Sequence, residues 1–276
     1  MSNKTLYVSD LDGTLMRSDI KISDHTVKTI NGLIDQGVAF TYATARSIDS
    51  AREITQDLKI KLPVITRNGS VLADNITGKS MEITVFKEED IRMIRKLIPE
   101  LPSHGFVSCY IGDKMIKTYA DTEHTEGLDD YIGFYKDDPR MVKVPDMEGM
   151  FTGRPGYVTM ISSKEDLEPV YERVKDHDGW ECLFQKDTYR DEYWIELCPK
   201  GCTKAKKILQ LKEEYGFDRV IVFGDSLNDL PMFSIADESY AVSNALDEVK
   251  AAATSVIGSN NEDAVANFIV HKEKNS

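Results

Sequence analysis

The apolar run Leu6-Tyr7-Val8 opens directly into Ser9-Asp10-Leu11-Asp12-Gly13-Thr14-Leu15. A short apolar run bounded by polar residues reads as a buried strand, and Asp12-Gly13 is a turn signal. The chain therefore leaves a strand and sets down two carboxylates, two residues apart, at its carboxyl end. In open α/β sheets that edge is where ligands bind. Two acids so close repel one another, and burying both is costly unless a cation or a shared proton compensates. The pair points to a metal and to chemistry.

Beyond this stretch the chain alternates helix and strand. Ser23-Asp24 can cap a helix with Val27, Ile30, Leu33 and Ile34 on one face, and Gly37 ends it. Val38 to Ala43 reads as a second strand with Thr44 at its end, and Ser47 caps a helix running to about Lys59. Leu62 to Thr66 is a third strand, closed by the turn pair Asn68-Gly69. The character then changes. A helix over Lys87–Ile98, hairpins, a strand over Tyr157–Ser162, a helix over Lys164–Lys175 and strands at Trp180–Phe184 and Tyr193–Leu197 form α+β material, not repeated βαβ units. Alternation returns with a helix over Thr203–Tyr215 and the continuous apolar strand Val220–Phe223, of the kind buried in a parallel sheet. The expected fold is a doubly wound, Rossmann-like α/β core with a parallel sheet, interrupted by an inserted α+β domain. The core spans 1–82 and 191–276, and the insert 83–190.

Composition narrows the function. The chain has 276 residues and a formal net charge of -13. Such a charge disfavours a nucleic acid polymer or an anionic membrane as partner. No apolar run approaches the roughly 20 residues of a spanning helix, and no apolar signal region opens the chain. The cysteines Cys109, Cys182, Cys198 and Cys202 form no C-x-x-C pair, so a zinc site is disfavoured and reduced, partly buried thiols in a cytoplasmic protein are expected. The five histidines are scattered and none has a partner at ligand spacing. No nucleophile elbow, phosphate loop or dinucleotide fingerprint is present.

Three polar clusters sit at expected strand ends: Asp10-x-Asp12, Thr44, and Asp225-x-x-x-Asp229 directly after Phe223-Gly224. In a right-handed parallel sheet these ends face one side and converge. Lys204, early in a helix after Lys200-Gly201, joins them. Several carboxylates, a hydroxyl, the Asn228 amide and one lysine suit phosphoryl transfer. The acids hold Mg²⁺, which prefers hard oxygen ligands, and the lysine and hydroxyl bind phosphate oxygens.

At these residues the sequence resembles the haloacid dehalogenase superfamily of phosphohydrolases. Its signatures match in order: D-x-D-G-T-L as Asp10 to Leu15, a threonine as Thr44, a lysine as Lys204, and G-D-x-x-N-D as Gly224 to Asp229. The large insert and the Pro199-Lys-Gly-x-x-Lys204 segment are similar to the Cof-type branch with a type-two (IIB) α/β cap. One departure is visible: Thr44-Ala45-Arg46 stands where the family often has Thr-Gly-Arg. The resemblance implies roles. Asp10 would be the nucleophile that forms an aspartyl-phosphate, and Asp12 the acid and base. Mg²⁺ would be held by the Asp10 carboxylate, the Asp12 backbone carbonyl and Asp225, with Asp229 in support. Leu11, Thr44, Ala45, Lys204 and Asn228 would hold the phosphoryl group.

Substrate selection would fall to the cap. Candidates are Arg154, Tyr157, Lys186, Tyr189 and Arg190, with Arg46 and Asn68 from the core. The turn-rich stretch Gly153-Arg154-Pro155-Gly156 reads as a loop able to reach a site. The expected activity is hydrolysis of a small phosphorylated metabolite (a sugar phosphate, a nucleotide or a phosphorylated cofactor) by a monomer or weak homo-oligomer. A phosphomutase of the same superfamily and a non-catalytic phosphometabolite sensor are the alternatives.

Overall fold

The computed structural model describes residues 4–100, 105–112, 114–188 and 190–274. The substrate candidate Tyr189 and one of the five histidines, His104, lie outside them. The first segment runs β1 (Thr5–Ser9), α1 (Asp24–Asp35), β2 (Ala39–Tyr42), α2 (Ile48–Thr55), β3 (Val64–Thr66), β4 (Val71–Ala73) and β5 (Ser80–Ile83). Next come α3 (Glu88–Leu97), β6 (Phe106–Ile111), β7 (Lys114–Ala120), α4 (Glu126–Phe134), β8 (Met141–Val144), β9 (Arg154–Ser162), α5 (Lys164–Val174), β10 (Trp180–Lys186) and β11 (Tyr193–Pro199). The last segment holds α6 (Lys204–Tyr215), β12 (Arg219–Gly224), α7 (Leu230–Ile235), β13 (Glu238–Ala241), α8 (Asp247–Ala252), β14 (Ser255–Val256) and α9 (Ala264–Lys274). The chain divides into two compact units, Met1–Glu82 with Thr203–Ser276, and Ile83–Cys202.

The first unit is a doubly wound α/β fold. Its sheet has the order β14-β13-β12-β1-β2, and every pairing is parallel. A parallel bridge between Ala43 and Ile65 brings β3 alongside β2. Strands β1 and β12 are apolar and buried along almost their whole length, as strands covered on both faces must be. From β1 the chain winds outward through β2, and from β12 it winds the opposite way through β13 to β14. The reversal falls between β1 and β12, where α/β sheets open a crevice at their carboxyl ends. Serine and threonine caps start helices of this unit. Ser23 accepts the Thr26 N–H at 3.0 Å, and Thr203 accepts that of Lys206 at 3.1 Å, each satisfying an amide the helix leaves unpaired.

The second unit is built on a six-stranded sheet of order β10-β11-β9-β6-β7-β8, antiparallel except where β8 runs parallel to β7. Alternate residues face opposite sides. Val107, Val158, Met160, Ile195 and Leu197 pack with Ile91 and Ile94 of α3 and with Leu167, Val170 and Val174 of α5. On the other face Phe106 and Ile161 pack with Leu128 of α4.

Three expectations about this unit change. β11 pairs with both β9 and β10, so the chain returns to the first unit at Cys202/Thr203, not at 190/191. Arg154-Pro155-Gly156 is the start of β9 and not a free loop. The strand tolerates Pro155 because its first residues pair only with β6, across a register shift near Ser108 and Cys109; proline is confined to such places because it lacks an N–H. β8, absent from the expected elements, is a short edge strand with little periodicity of its own.

Trp180 anchors the unit's core: it is 2% exposed, and its Nε1–H donates to the Val174 carbonyl at 2.9 Å. Trp180→Ala is expected to cost about 3–5 kcal/mol. Trp180→Phe, which keeps an aromatic ring but drops the hydrogen bond, should cost markedly less, and urea unfolding followed by circular dichroism checks the difference.

Candidate active site

β1 and β12 deliver the first carboxylates. The Asp10 N–H donates to the Phe223 carbonyl at 2.9 Å, tying the end of β1 to the end of β12. The chain then turns back on itself, with the Met16 N–H on the Leu11 carbonyl at 2.8 Å. Gly13 makes this turn possible. Its φ is +74°, and a Cβ there would lie 2.4 Å from Asp225 Oδ2. The next side chain, Thr14, donates its hydroxyl to Asp225 Oδ1 at 2.8 Å. A glycine and a threonine thus seat the first loop on the acid of the second.

Asp10, Asp225 and Asp229 are all buried, and carboxylate oxygens of the three lie within 4.8 Å of one another. One cation accompanies them. Lys204, 2% exposed, donates from Nζ to Asp10 Oδ1 at 2.5 Å and to Asp229 Oδ1 at 2.7 Å. The second oxygen of Asp229 accepts the N–H groups of Asp225 and Ser226 at 2.9 and 3.1 Å. Asp229 is therefore engaged at both oxygens, and it orients Lys204 and the loop after β12.

The electrostatics follow from this crowding. Burial pushes the Asp10 carboxyl well above the usual carboxylate range; Lys204 pulls it down, and Asp229 and Asp225 push it up further. Burial, then the Asp229 charge, pushes Asp225 up to about 8 against the Thr14 hydrogen bond. Burial opposes the Lys204 ammonium, but Asp10 and Asp229 outweigh it and hold that group above the ordinary lysine range. With all four groups ionised, two negative charges remain uncompensated inside the protein.

The rest of the rim comes from the loops after β2 and β3. Ala43 donates its N–H to the Ser9 carbonyl at 2.9 Å, and the buried Thr44 follows it. Arg46 forms a two-toothed fork on Asp12, from Nε to Oδ2 at 2.8 Å and from Nη2 to Oδ1 at 2.7 Å. Ser50 of α2 accepts from Arg46 Nη1 at 3.0 Å. Asp12 thus faces Arg46 and stands outside the buried carboxylate cluster. Asn68 accepts from Asn228 Nδ2 at 3.3 Å. Ala45, half-buried, lies between Thr44 and Arg46 in this rim.

The core residues singled out in the sequence thus lie on loops at one edge of the sheet and, for Lys204, at the start of α6. The candidates in the second unit have partners of their own. Arg154 donates to the Gly112 carbonyl at 3.2 Å. The Arg190 guanidinium lies 5.7 Å from the centre of the Phe134 ring. Lys186 pairs with Asp191 at 2.7 Å on the surface, and Tyr157 is buried against Cys198 and Cys202. All four cysteines are free thiols.

Residues the sequence reading passed over also serve the site. Asn244 donates to the Gly13 carbonyl at 2.8 Å and accepts the Asn260 N–H at 3.0 Å, while Asn260 Nδ2 donates to the Met16 carbonyl at 2.8 Å. The two asparagines brace the Asp12-Gly13 turn from behind. The signal available for Asn244 is its place just after β13, at the same sheet edge.

The donors are hard oxygens with excess negative charge, which fits a small divalent cation such as Mg²⁺. No helix among the described residues is long and apolar enough to cross a membrane.

Known proteins share this architecture. The haloacid dehalogenase-like hydrolase family model matches residues 7–269. A 5-amino-6-(5-phospho-D-ribitylamino)uracil phosphatase of Bacillus subtilis is 26% identical, over 94% of this chain and 95% of its own. A pyridoxal phosphate phosphatase of Escherichia coli is 23% identical, over 94% and 95%. The solved structure of a subclass IIB sugar phosphatase superposes with a TM-score of 0.75 at 19% identity, covering 98% of this chain and 99% of that one. With the family match spanning nearly its whole length and the strand-end acids in place, the chain belongs to the haloacid dehalogenase-like hydrolases, in their Cof-type branch.

Proposed function

We propose that the protein is a Mg²⁺-dependent phosphatase of small phosphorylated metabolites that works through an aspartyl-phosphate on Asp10. The observation that carries the reading is the buried trio Asp10, Asp225 and Asp229 with Lys204 as its accompanying cation, at the reversal of a parallel sheet. Nothing in packing or stability calls for that much buried negative charge, whereas phosphoryl transfer calls for positioning and charge stabilisation at one point. The relatives whose names specify phosphoribitylaminouracil and pyridoxal phosphate phosphatases support a substrate of metabolite size.

The residues then divide the work. The metal would be held by the carboxylates of Asp10 and Asp225 and the Asp12 carbonyl. When bound it neutralises the carboxylates and the phosphoryl oxygens, so that two anions can meet. An Asp10 oxygen attacks phosphorus as the bond to the leaving oxygen breaks, and Asp12 gives that oxygen a proton. A water then attacks the same phosphorus and gives its proton to Asp12; the bond to Asp10 breaks and inorganic phosphate leaves. The Arg46 fork sets the orientation of the Asp12 carboxyl group, which enters the first transfer protonated and the second as the carboxylate. Lys204 orients Asp10 and, with Thr44, Ala45, Asn228 and the Leu11 backbone, offers donors to the phosphoryl oxygens. The unit over Ile83–Cys202 serves as the cap that selects the leaving group.

Phosphate release from p-nitrophenyl phosphate and from a panel of sugar phosphates, nucleotides and phosphorylated cofactors tests this reading. Release should require Mg²⁺, stop on chelation, and disappear in Asp10→Asn. Wild-type turnover by that variant would sink the covalent mechanism. Isomerised product without free phosphate would replace it with a mutase.

Two substitutions probe the charges separately. Measured above pH 8, where the Asp225 carboxyl is ionised, Asp225→Asn removes one of the crowded charges, so it should raise the melting temperature of the metal-free protein while abolishing the stabilisation that Mg²⁺ gives the wild type; thermal unfolding with and without the ion reads both. Arg46→Lys replaces a fork by a point charge and should lower kcat by about tenfold, the equivalent of one lost charged hydrogen bond, as measured in steady-state assays.

A further inference from the structure

The turn between β3 and β4 does more than reverse the chain. Arg67, Asn68 and Gly69 follow one another with φ of 51°, 51° and 100°. Left-handed backbone at two consecutive non-glycine residues is strained and persists only where the surroundings impose it. Here those surroundings are functional loops. The Arg67 N–H donates to the Arg46 carbonyl at 2.9 Å and the Asn68 N–H to the Thr44 carbonyl at 3.0 Å. Gly69 lies so close to the residue before Lys204 that a Cβ would stand 2.4 Å from the Thr203 carbonyl oxygen. The Asn68 side-chain oxygen accepts from Asn228 Nδ2 at 3.3 Å. One turn thus touches the loop after β2, the start of α6 and the loop after β12.

The contact to Asn228 has a specific effect. Ser226 donates its hydroxyl to Asn228 Oδ1 at 2.7 Å, while Asn68 takes one of the two Nδ2 hydrogens. Held at both ends, the amide cannot rotate, and the direction of its second N–H is set. Asn68 is buried at 3% exposure. Asparagine also suits the position because it tolerates the left-handed region better than most residues.

We propose that Asn68 is a positioning residue for phosphoryl transfer, acting through Asn228: it fixes the rotation of that amide and locks the three phosphate-facing loops to one another. The inference rests on the phosphatase reading, in which Asn228 binds the phosphoryl group. It places Asn68 behind the substrate-binding layer and not in it.

A double-mutant cycle tests the coupling. Asn68→Gly keeps the left-handed backbone accessible and deletes the side chain with its amide, and Asn228→Ala deletes the amide that Asn68 holds. Both variants, their combination and the wild type are compared in Mg²⁺-dependent hydrolysis of p-nitrophenyl phosphate, in calorimetric binding of tungstate, a phosphate mimic, and in thermal unfolding. Asn68→Gly should lose about tenfold in kcat/KM and in tungstate affinity, the scale of one ordered hydrogen bond. In the Asn228→Ala background the same change should cost less than about twofold, since coupled residues are non-additive. Losses that simply multiply would overturn the coupling. A lowered melting temperature with unchanged turnover and unchanged tungstate affinity would make Asn68 a structural residue and overturn its role. A wild-type protein that binds tungstate but releases phosphate from no ester would count against the phosphatase reading, and the tungstate cycle would still decide the coupling.

Discussion

A lysine ammonium taken almost wholly out of water governs the first unit. Lys204 is held by Asp10 and Asp229 at 2.5 and 2.7 Å. Removing one partner from such a pair typically costs about 3–5 kcal/mol, because the other charge is stranded. The pairing therefore fixes more than itself. It ties the start of α6 to the ends of β1 and β12, and it sets which oxygen of Asp10 is occupied. Asp229 can play this part because its other oxygen is filled by two backbone N–H groups of its own loop. What is left over, one oxygen of Asp10 and the Asp225 carboxylate seated by Thr14, is a site with more negative charge than the protein balances.

That imbalance separates binding capacity from stability. A hydrophobic cluster at the same place would hold the strands together without charge to desolvate. The chain instead accumulates carboxylates and commits several side chains to keeping them oriented: Arg46 on Asp12, Asn244 and Asn260 behind the Asp12-Gly13 turn, Asn68 against Asn228. All of these are amide or guanidinium groups, which supply directional bonds at fixed angles. Sites that must hold a geometry to within fractions of an ångström depend on such supporting bonds.

Much of this was legible in the sequence. Asp10-x-Asp12-Gly13, Thr44 and Asp225-x-x-x-Asp229 each follow an apolar run, and period and punctuation alone put them at strand ends. The convergence of those ends followed from the handedness of parallel crossovers. Other features were out of reach for a physical reason. The Tyr193–Leu197 strand reads as α+β material, yet the expected boundary at 190/191 falls before it; only its pairing with β9 and β10 assigns it to the second unit. Pro155-Gly156 carried the composition of a loop, yet a register shift lets those residues open a strand. The fork of Arg46 on Asp12 joins residues 34 apart and the brace of Asn244 on Gly13 residues 231 apart. Such partners are set by topology, and local pattern carries no trace of them.

The sheet order has a consequence for the time at which the molecule becomes itself. The strand that carries Asp10 leaves the ribosome ahead of the other described elements, but its neighbour β12 and its counter-charge Lys204 come from much later in the chain, the lysine 194 residues on. At about 5–20 residues per second, that interval is roughly 10–40 s of synthesis. During it the segment over Ile83–Cys202 is completed as one contiguous stretch, while Asp10 and Asp12 sit on a strand with an open edge. Asp10 can remain solvated through this period without penalty, since it is buried only once the lysine that offsets part of its desolvation has been made.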